Sequence, residues 1–438
     1  MDIAILGFDR QGRSAYNYWA SADNSITICD KKSDISVPED AATQLGEEYL
    51  KNLDRFDLLV RTPGLHPRDI QKANPSKPDI IDKVTTVTNE FMRVCPSKNI
   101  IGITGTKGKG TTSTLVANML EAAGKRVHLG GNIGIAPLDM LQDSIQPDDW
   151  VVLELANYQL IDIVHSPAIA VCLMIAPEHL DWHGSLDEYL RAKQQLFLYQ
   201  SEEDVAIYKA TDNRSMQLAS SSIGKTVPYM AKPGAIVEND AIVIDQKKVC
   251  RVSDIPLLGA HNIENVCAAI TCAWQVVQDP AAIREATRNT TALPFRIEER
   301  RTVNGVTYYN DSFATNPDAT IAAIKAVDQP KVLLLGGYDR GLDFTELASC
   351  IASKTHHVKH VVLYGATKQR LADALTQAHY SAITVLDAVE NMSKVIETAN
   401  SVVSQGDAVV LSPASASFDM FKNFEVRGQA FNQAVESL

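Results

Sequence analysis

Glycine, lysine and threonine crowd into one short run, Gly102-Ile103-Thr104-Gly105-Thr106-Lys107-Gly108-Lys109-Gly110-Thr111-Thr112. An apolar stretch leads into it. A helical pattern follows, with Leu115, Val116, Met119 and Leu120 on one face, and stops near Gly124. A glycine-rich loop between strand and helix suits a phosphate cradle, because backbone N–H groups and the helix N-terminus then point at the oxyanions. Lys109 would supply a cation to the outer phosphates, and Thr111 or Thr112 a hydroxyl to Mg²⁺. The run departs from G-x-x-x-x-G-K-[ST] twice: Gly110 follows the lysine, and the glycine spacing is shorter. A merely flexible turn is the competing reading, yet repeated glycines with two closely spaced lysines are poor material for one.

Other chemistry-bearing residues follow apolar runs. A strand over 150–153 delivers Glu154, and one over 169–175 delivers Glu178-His179-Leu180-Asp181. In a parallel sheet these ends gather at the edge where ligands bind. Glu154 and His179 would there suit Mg²⁺ held against phosphate oxygens. His179 and His183 are four apart, a zinc-like spacing on a helix. The surroundings are not H-E-x-x-H and no third ligand is evident, so His183 reads as a surface residue or a support behind the site. Lys193 lies in a helical pattern over 186–197 with Leu186, Tyr189, Leu190 and Phe197 as its apolar face. Composition alone makes it a solvated lysine. Nearer the N-terminus, a strand over 3–6 enters Gly7-Phe8-Asp9-Arg10-Gln11-Gly12-Arg13-Ser14, and a second over 25–29 ends at Asp30. A glycine turn with an acid about 20 residues on is Rossmann-like, though the spacing is looser than G-x-G-x-x-G. A tight turn without a ligand accounts for it equally well.

The elements needed to position these residues are α/β throughout, with short apolar runs alternating with helical patterns. At 438 residues the chain is too long for one ordinary core. It is expected to divide into residues 1–95, 96–292 and 293–438. The first includes a strand over 58–60 running into Arg61-Thr62-Pro63-Gly64-Leu65; the last has strands over 332–335, 360–364 and 408–411 and a helix over 318–327. A hydrophobic fraction of 45% and a charged fraction of 21% are those of a globular protein. A net charge of -12 argues against a general nucleic-acid or membrane-surface binder but not against a locally bound anion. The 7 cysteines are odd in number and scattered, as free thiols of a reducing compartment would be. With no basic, apolar leader at the start and no run of membrane-spanning length, a cytoplasmic protein is expected.

With these residues the chain resembles the Mur ligases, ATP-dependent amide-forming enzymes that lengthen the peptide stem of peptidoglycan. The resemblance covers nearly the whole chain. It rests on the phosphate loop, Gly130-Gly131-Asn132-Ile133-Gly134, Val152-Leu153-Glu154-Leu155, Glu178-His179-Leu180-Asp181, Ala260-His261-Asn262-Ile263-Glu264-Asn265, Leu293-Pro294-Phe295-Arg296 and Tyr309-Asn310-Asp311-Ser312. It implies three α/β domains: a Rossmann-like N-terminal domain for UDP, a central P-loop ATPase-type parallel sheet, and a Rossmann-like C-terminal domain for the amino acid. It also implies that Gly105, Thr106, Lys107, Gly108, Lys109, Gly110, Thr111 and Thr112 bind ATP with Asn265, Arg296 and Asp311. Mg²⁺, at two sites, would be held by Thr111, Glu154, His179 and a carbamylated Lys193. Lys109, Glu154, His179 and Lys193 would be the catalytic set.

Within the family, the run Leu411-Ser412-Pro413-Ala414-Ser415-Ala416-Ser417-Phe418-Asp419-Met420-Phe421-Lys422-Asn423-Phe424-Glu425-Val426-Arg427-Gly428 is similar to that of the glutamate-adding branch. That branch implies UDP-N-acetylmuramoyl-L-alanine, glutamate and ATP as substrates, a monomer, and no nucleic-acid or membrane partner. Gly7, Asp30, Thr62, Pro63 and Gly64 would hold UDP, and Asn132 and Gln159 the muramoyl part. Thr315, Arg340, Ser417 and Phe424 would frame the amino acid. The pattern is departed from at four places along the chain. Gly110 resembles the loop of folate-polyglutamate ligases, and Ala156-Asn157-Tyr158 stands where two serines and a phenylalanine are usual. Phe313 replaces a frequent lysine, and Arg340 replaces the lysine expected on the glutamate carboxylate. D-glutamate addition is the leading expectation. An L-glutamate-adding variant, a folate-polyglutamate ligase and a nucleotide-binding protein without ligase chemistry are the alternatives.

Overall fold

The first strands read as alternating sheet residues whose two faces bury different cores. In chain order the elements are β1 (Asp2–Leu6), α1 (Arg10–Trp19), β2 (Ser25–Asp30), β3 (Ala42–Leu45), β4 (Leu58–Arg61), α2 (Pro67–Ala73), β5 (Val84–Thr85) and α3 (Val87–Val94). The strands form a parallel sheet in the order β3-β2-β1-β4-β5. Ala4 and Leu6 face a small core with Leu53, Phe56 and Ile70. Ile3 and Ile5 face the opposite way, into a larger core shared with Val151, Leu153 and Leu155 of the next sheet. The computed structural model describes residues 1–20, 24–387, 389 and 391–438.

That next sheet comes from β6 (Ile100–Thr104), α4 (Lys109–Ala122), β7 (Val127–Gly131), β8 (Trp150–Glu154), α5 (Asn157–Leu160), β9 (Ile169–Cys172), α6 (Leu180–His183), α7 (Leu186–Leu198), β10 (Val205–Lys209), α8 (Asn213–Ala219) and β11 (Lys225–Tyr229). Its order is β11-β10-β9-β6-β8-β7, with every pairing parallel. Every residue of β6 is buried, as expected of a central parallel strand covered on both faces. Gly102 has a packing reason: a Cβ there would stand 2.8 Å from Pro167 Cγ and 3.1 Å from Leu196 Cδ1. Pro228 lies in β11, at the sheet edge, where a missing N–H breaks no ladder. A three-stranded antiparallel sheet follows, β12 (Ile236–Glu238), β13 (Ala241–Ile244) and β14 (Lys247–Arg251), and then α9 (Ala260–Trp274) and α10 (Pro280–Asn289).

The third large sheet is made by β15 (Glu298–Val303), β16 (Val306–Asn310), α11 (Pro317–Ala326), β17 (Lys331–Gly336), α12 (Thr345–Ala352), β18 (Val358–Tyr364), α13 (Lys368–Gln377), β19 (Ile383–Val385), α14 (Met392–Asn400), β20 (Ala408–Leu411) and α15 (Phe424–Glu436). The order is β15-β16-β20-β17-β18-β19; only the β15–β16 hairpin is antiparallel. Leu333 and Leu335 pack into one face's core, and Val332 and Leu334 into the other's. By internal contacts the chain forms two units, Met1–Ile255 with Glu264–Asn289, and Pro256–Ile263 with Thr290–Leu438. Among the described residues, no helix is long and apolar enough to cross a membrane.

Candidate active site

Two glycine turns lead into helices in the first unit, and their caps distinguish them. At α1, Asp9 caps the helix, its carboxylate accepting from the N–H groups of Gln11 and Gly12 at 3.0 and 3.2 Å. A carboxylate already takes those donors. At α4 the capping residue is Gly108, in the left-handed region at φ 86°, and no side chain caps the helix. Those first-turn donors suit an oxyanion. Gly108 also abuts Asn265 of α9: a Cβ would lie 2.2 Å from Asn265 Oδ1. The expected loop and the expected asparagine therefore meet.

Lys109 Nζ donates to the carbonyls of Gly105 and Thr106, both at 3.1 Å. Lys193 is fully buried, and its Nζ donates to the same Gly105 carbonyl at 2.9 Å. Burial, and secondarily the neighbouring Lys109, pull the Lys193 amine down to about 7. Lys107 pairs with Glu178 at 2.6 Å. Thr106 Oγ1 accepts from Ala176 N–H at 2.9 Å, joining the loop to the segment after β9. Thr112 is buried with an unpartnered hydroxyl, and Gly110 and Thr111 complete the turn into α4.

Glu154, at the end of β8, stands in register with Ile103 of β6. One carboxylate oxygen accepts from Asn132 Nδ2 at 2.8 Å; the other is buried and unpartnered. A buried carboxylate oxygen without a donor is costly unless a cation joins it. A hard cation such as Mg²⁺ fits this donor set. His179 caps α6 in the left-handed region at φ 57°, with its ring 5.0 Å from that of Tyr158. Burial, reinforced by Lys109, lowers its pKa against the opposing pull of Glu178.

At the carboxyl edge of the first sheet, Gly7, Asp30 and Thr62 come together. Asp30 accepts from Phe8 N–H at 2.7 Å, and Thr62 Oγ1 donates to Leu6 O at 2.9 Å. Pro63 and Gly64 follow, and Trp182 Nε1 donates to Gly64 O at 3.2 Å. Gln159 is not at this surface. It is 1% exposed, with its Oε1 accepting from Ala156 N–H at 3.0 Å to close the first turn of α5. The expectation that it faces a ligand is corrected on that ground.

Two arginines went unnoticed in the sequence. Arg10 donates to the carbonyls of Asn132 and Gly134 at 2.8 and 2.7 Å, fixing the segment that carries Asn132. Arg61 is wholly buried, forks onto Asp162 at 2.8 and 2.7 Å, and also donates to Tyr158 O and Leu65 O. It ties Thr62-Pro63-Gly64 to α5. The partners Asn132, Gly134, Asp162 and Tyr158 lie 97 to 124 residues from their arginines, so no local pattern announces these contacts.

Of the two placements expected for His183, at the surface or behind the site, the surface one is corrected: it is fully buried, with Nε2 2.7 Å from Asn157 Nδ2. His183, His66 and Glu188 lie near enough to share a metal ion. Two features oppose that reading. His66 Nδ1 accepts from Arg68 N–H at 3.0 Å, and its Nε2 is already met by Glu188 Oε1 at 3.0 Å and Arg68 Nη2 at 2.9 Å. Arg68 Nη2 lies within 3.0 Å of both Glu188 oxygens, where a cation would sit. The group is an ion-pair latch.

In the second unit, Asp311 is buried and its carboxyl is pushed up to about 7 by burial, against hydrogen bonds from Ser412 and Ile297 N–H. The Arg296 guanidinium lies 3.6 Å from the centre of the Phe313 ring, which meets Phe424 edge-on at 5.0 Å. Ser417 is buried, Thr315 is half-buried and Arg340 is exposed. Arg340 makes no hydrogen bond or ion pair among the described residues.

Fold and loop together place the chain among α/β proteins built on a phosphate-loop sheet. Residues 103–273 match the Mur ligase middle domain, and residues 295–415 the Mur ligase glutamate ligase domain. The chain is 35% identical to the UDP-N-acetylmuramoylalanine--D-glutamate ligase of Clostridium kluyveri, covering 100% of this chain and 96% of that one. It is 36% identical to the enzyme of the same name from Acetivibrio thermocellus, with the same coverage. The chain belongs to the Mur ligase family. Its fold is similar to that of UDP-N-acetylmuramate-alanine ligase MurC from Thermotoga maritima, with a TM-score of 0.63 at 16% identity over 100% of this chain and 99% of that one. Escherichia coli FolC is similar over 80% of this chain and 92% of its own, with a TM-score of 0.58 at 18% identity.

Proposed function

We propose that this chain joins D-glutamate to UDP-N-acetylmuramoyl-L-alanine, cleaving ATP to ADP and phosphate. The observation that carries the reading is the convergence of Lys109 and Lys193 on the Gly105 carbonyl, one strand from the unpartnered oxygen of Glu154. Full-length similarity to relatives named for that reaction supports it.

In this reading residues 1–95 hold UDP at Gly7, Asp30 and Thr62-Pro63-Gly64, residues 96–292 hold ATP, and residues 293–438 hold the amino acid. The uncapped start of α4 and Lys109 grip the phosphates, with Asn265, Arg296 and Asp311 as further ATP contacts. The alanyl carboxylate attacks the γ-phosphorus, the bond to the bridging oxygen breaks, and ADP leaves. The glutamate amine then attacks the acyl carbon, losing a proton as phosphate departs with the acyl oxygen. Lys109 offsets charge on the transferred phosphoryl group. Mg²⁺, held by Glu154 and His179 with Thr111, would supply further positive charge at the phosphate oxygens.

Lys193 is an ammonium-forming group in a cationic place. Reaction of its neutral amine with CO₂ forms an N–C bond and releases a proton, leaving a carbamate. The like-charge pair with Lys109 becomes an attractive one, and a metal-ligating oxygen is gained. Buried free cysteines fit a reducing cytoplasm, and the substrates are small molecules acted on by a monomer.

The test is phosphate release from ATP, Mg²⁺ and UDP-N-acetylmuramoyl-L-alanine, with D- and L-glutamate supplied separately. Release with D-glutamate alone is expected. Preference for L-glutamate would replace the amino acid assigned, and no release with either would overturn the reading.

A further inference from the structure

Arg427 is fully buried on the second turn of α15. Charge at such a place is costly unless its donors are used, and here backbone and hydroxyl oxygens take four of the five. Nε donates to Ser312 Oγ at 3.0 Å and Nη2 to Ser312 O at 2.9 Å. Nη1 donates to Ser415 O at 3.0 Å and Ala416 O at 3.2 Å. Among the described residues no carboxylate pairs with it directly. One planar fork thus clamps two chain segments that leave the sheet at neighbouring strands, β16 and β20.

A third segment is held through these two. The Ala416 carbonyl that accepts from Arg427 also accepts Tyr338 N–H at 2.8 Å, and Thr367 Oγ1 contacts both Gly337 N and Ser415 Oγ, at 3.1 Å each. Each residue expected to frame the amino acid is close in sequence to one of these anchors. Thr315 follows Ser312, Ser417 follows Ala416, Arg340 follows Tyr338, and Phe424 begins the helix that carries Arg427. The guanidinium's positive charge lies behind the same segments. It adds to the positive end of α15 and favours a dianionic acceptor.

We infer that Arg427 is the positioning residue of the amino-acid site, setting the relative placement of Thr315, Arg340, Ser417 and Phe424. The inference rests on the function proposed above. An ammonium cannot reproduce a fork onto two segments, so Arg427→Lys should keep charge and lose geometry, whereas Arg427→Met loses both.

The experiment is steady-state phosphate release with each substrate varied in turn, for the unaltered chain, Arg427→Lys, Arg427→Met and Ser312→Ala. KM for D-glutamate should rise about tenfold or more in Arg427→Lys and further in Arg427→Met, with a smaller rise in Ser312→Ala. KM for ATP and for the UDP-sugar should stay within about twofold, which a general loss of folding would not allow. Should Arg427→Met not fold, Arg427→Lys and Ser312→Ala decide. An unmoved KM for glutamate in both, or equal rises for all three substrates, overturns the inference while leaving the ligase reading intact. An unaltered chain inactive with either glutamate overturns that reading and this inference with it.

Discussion

Lys193 shows how burial can convert a common residue into an uncommon one. Its amine shares the Gly105 carbonyl with Lys109, is shut from water, and loses its proton near pH 7, so an uncharged nucleophile is available for CO₂. Lys193→Ala should lower ligation at least about 100-fold, and acetate or formate should partly restore it by filling the lost carboxylate's place. A fully active Lys193→Ala protein would sink the carbamate. Phe313 is the second telling residue, because Arg296 rests on its ring. Cation–π support of about 0.5–2 kcal/mol implies that Phe313→Leu raises KM for ATP roughly 2- to 30-fold. An unchanged KM for ATP would mean that the stacking does not orient Arg296. The apolar face of α7 was legible from Tyr189 and Phe197, but the burial of Lys193 on it was not, since composition makes it a solvated lysine. Arg61 and Arg427 were not legible either, because the contacts of Arg61 with Asp162 and of Arg427 with Ser312 join residues 101 and 115 apart.

At the level of elements, helix caps separate two turns that composition makes alike. The start of α1 is closed by Asp9, whereas that of α4 is open. Gly108 makes the opening possible through a positive φ and contact with Asn265, so Gly108→Ala should be doubly penalised. Strain of roughly 1–3 kcal/mol at the loop predicts a Kd for ATP raised at least about fivefold, measurable by calorimetry. Unchanged ATP affinity would show that the loop does not form the nucleotide contact. The strands β1, β2, β4, β6, β8, β9, β17, β18 and β20 were readable from apolar runs, because parallel strands inside a covered sheet have little else in them. The antiparallel sheet β12–β14 was not anticipated. Its two hairpin turns are carried by Asn239-Asp240 and Asp245-Gln246, all at positive φ, without the glycine that normally betrays such a turn.

Across the whole molecule, the boundary expected near residue 95 falls between two sheets that share one core, with Ile3, Ile5 and Val60 packed into the same cluster as Val151 and Leu153. Arg61–Asp162 and the His66–Arg68–Glu188 latch span the same seam. His183 lies beside that latch, and its proton affinity links the seam to pH. Burial, helped by His66, Lys193 and His179 and opposed by Glu188, lowers its pKa from 6.5 to about 4. The folded chain therefore leaves His183 neutral while the unfolded chain protonates it between pH 6.5 and 4. The unfolded state binds more protons in that window, so stability is fully present above pH 6.5 and falls as the medium is acidified toward pH 4. The limiting slope for one such group is about 1.4 kcal/mol per pH unit. Carboxylates add to acid sensitivity in any protein, so the informative quantity is the difference between the parent chain and His183→Gln. The variant should start less stable near pH 7, where the Asn157 contact is altered, and its unfolding midpoint should then fall less steeply between pH 6.5 and 4. Parallel midpoint curves would show that protons enter the seam elsewhere, at the latch itself rather than at the imidazole behind it.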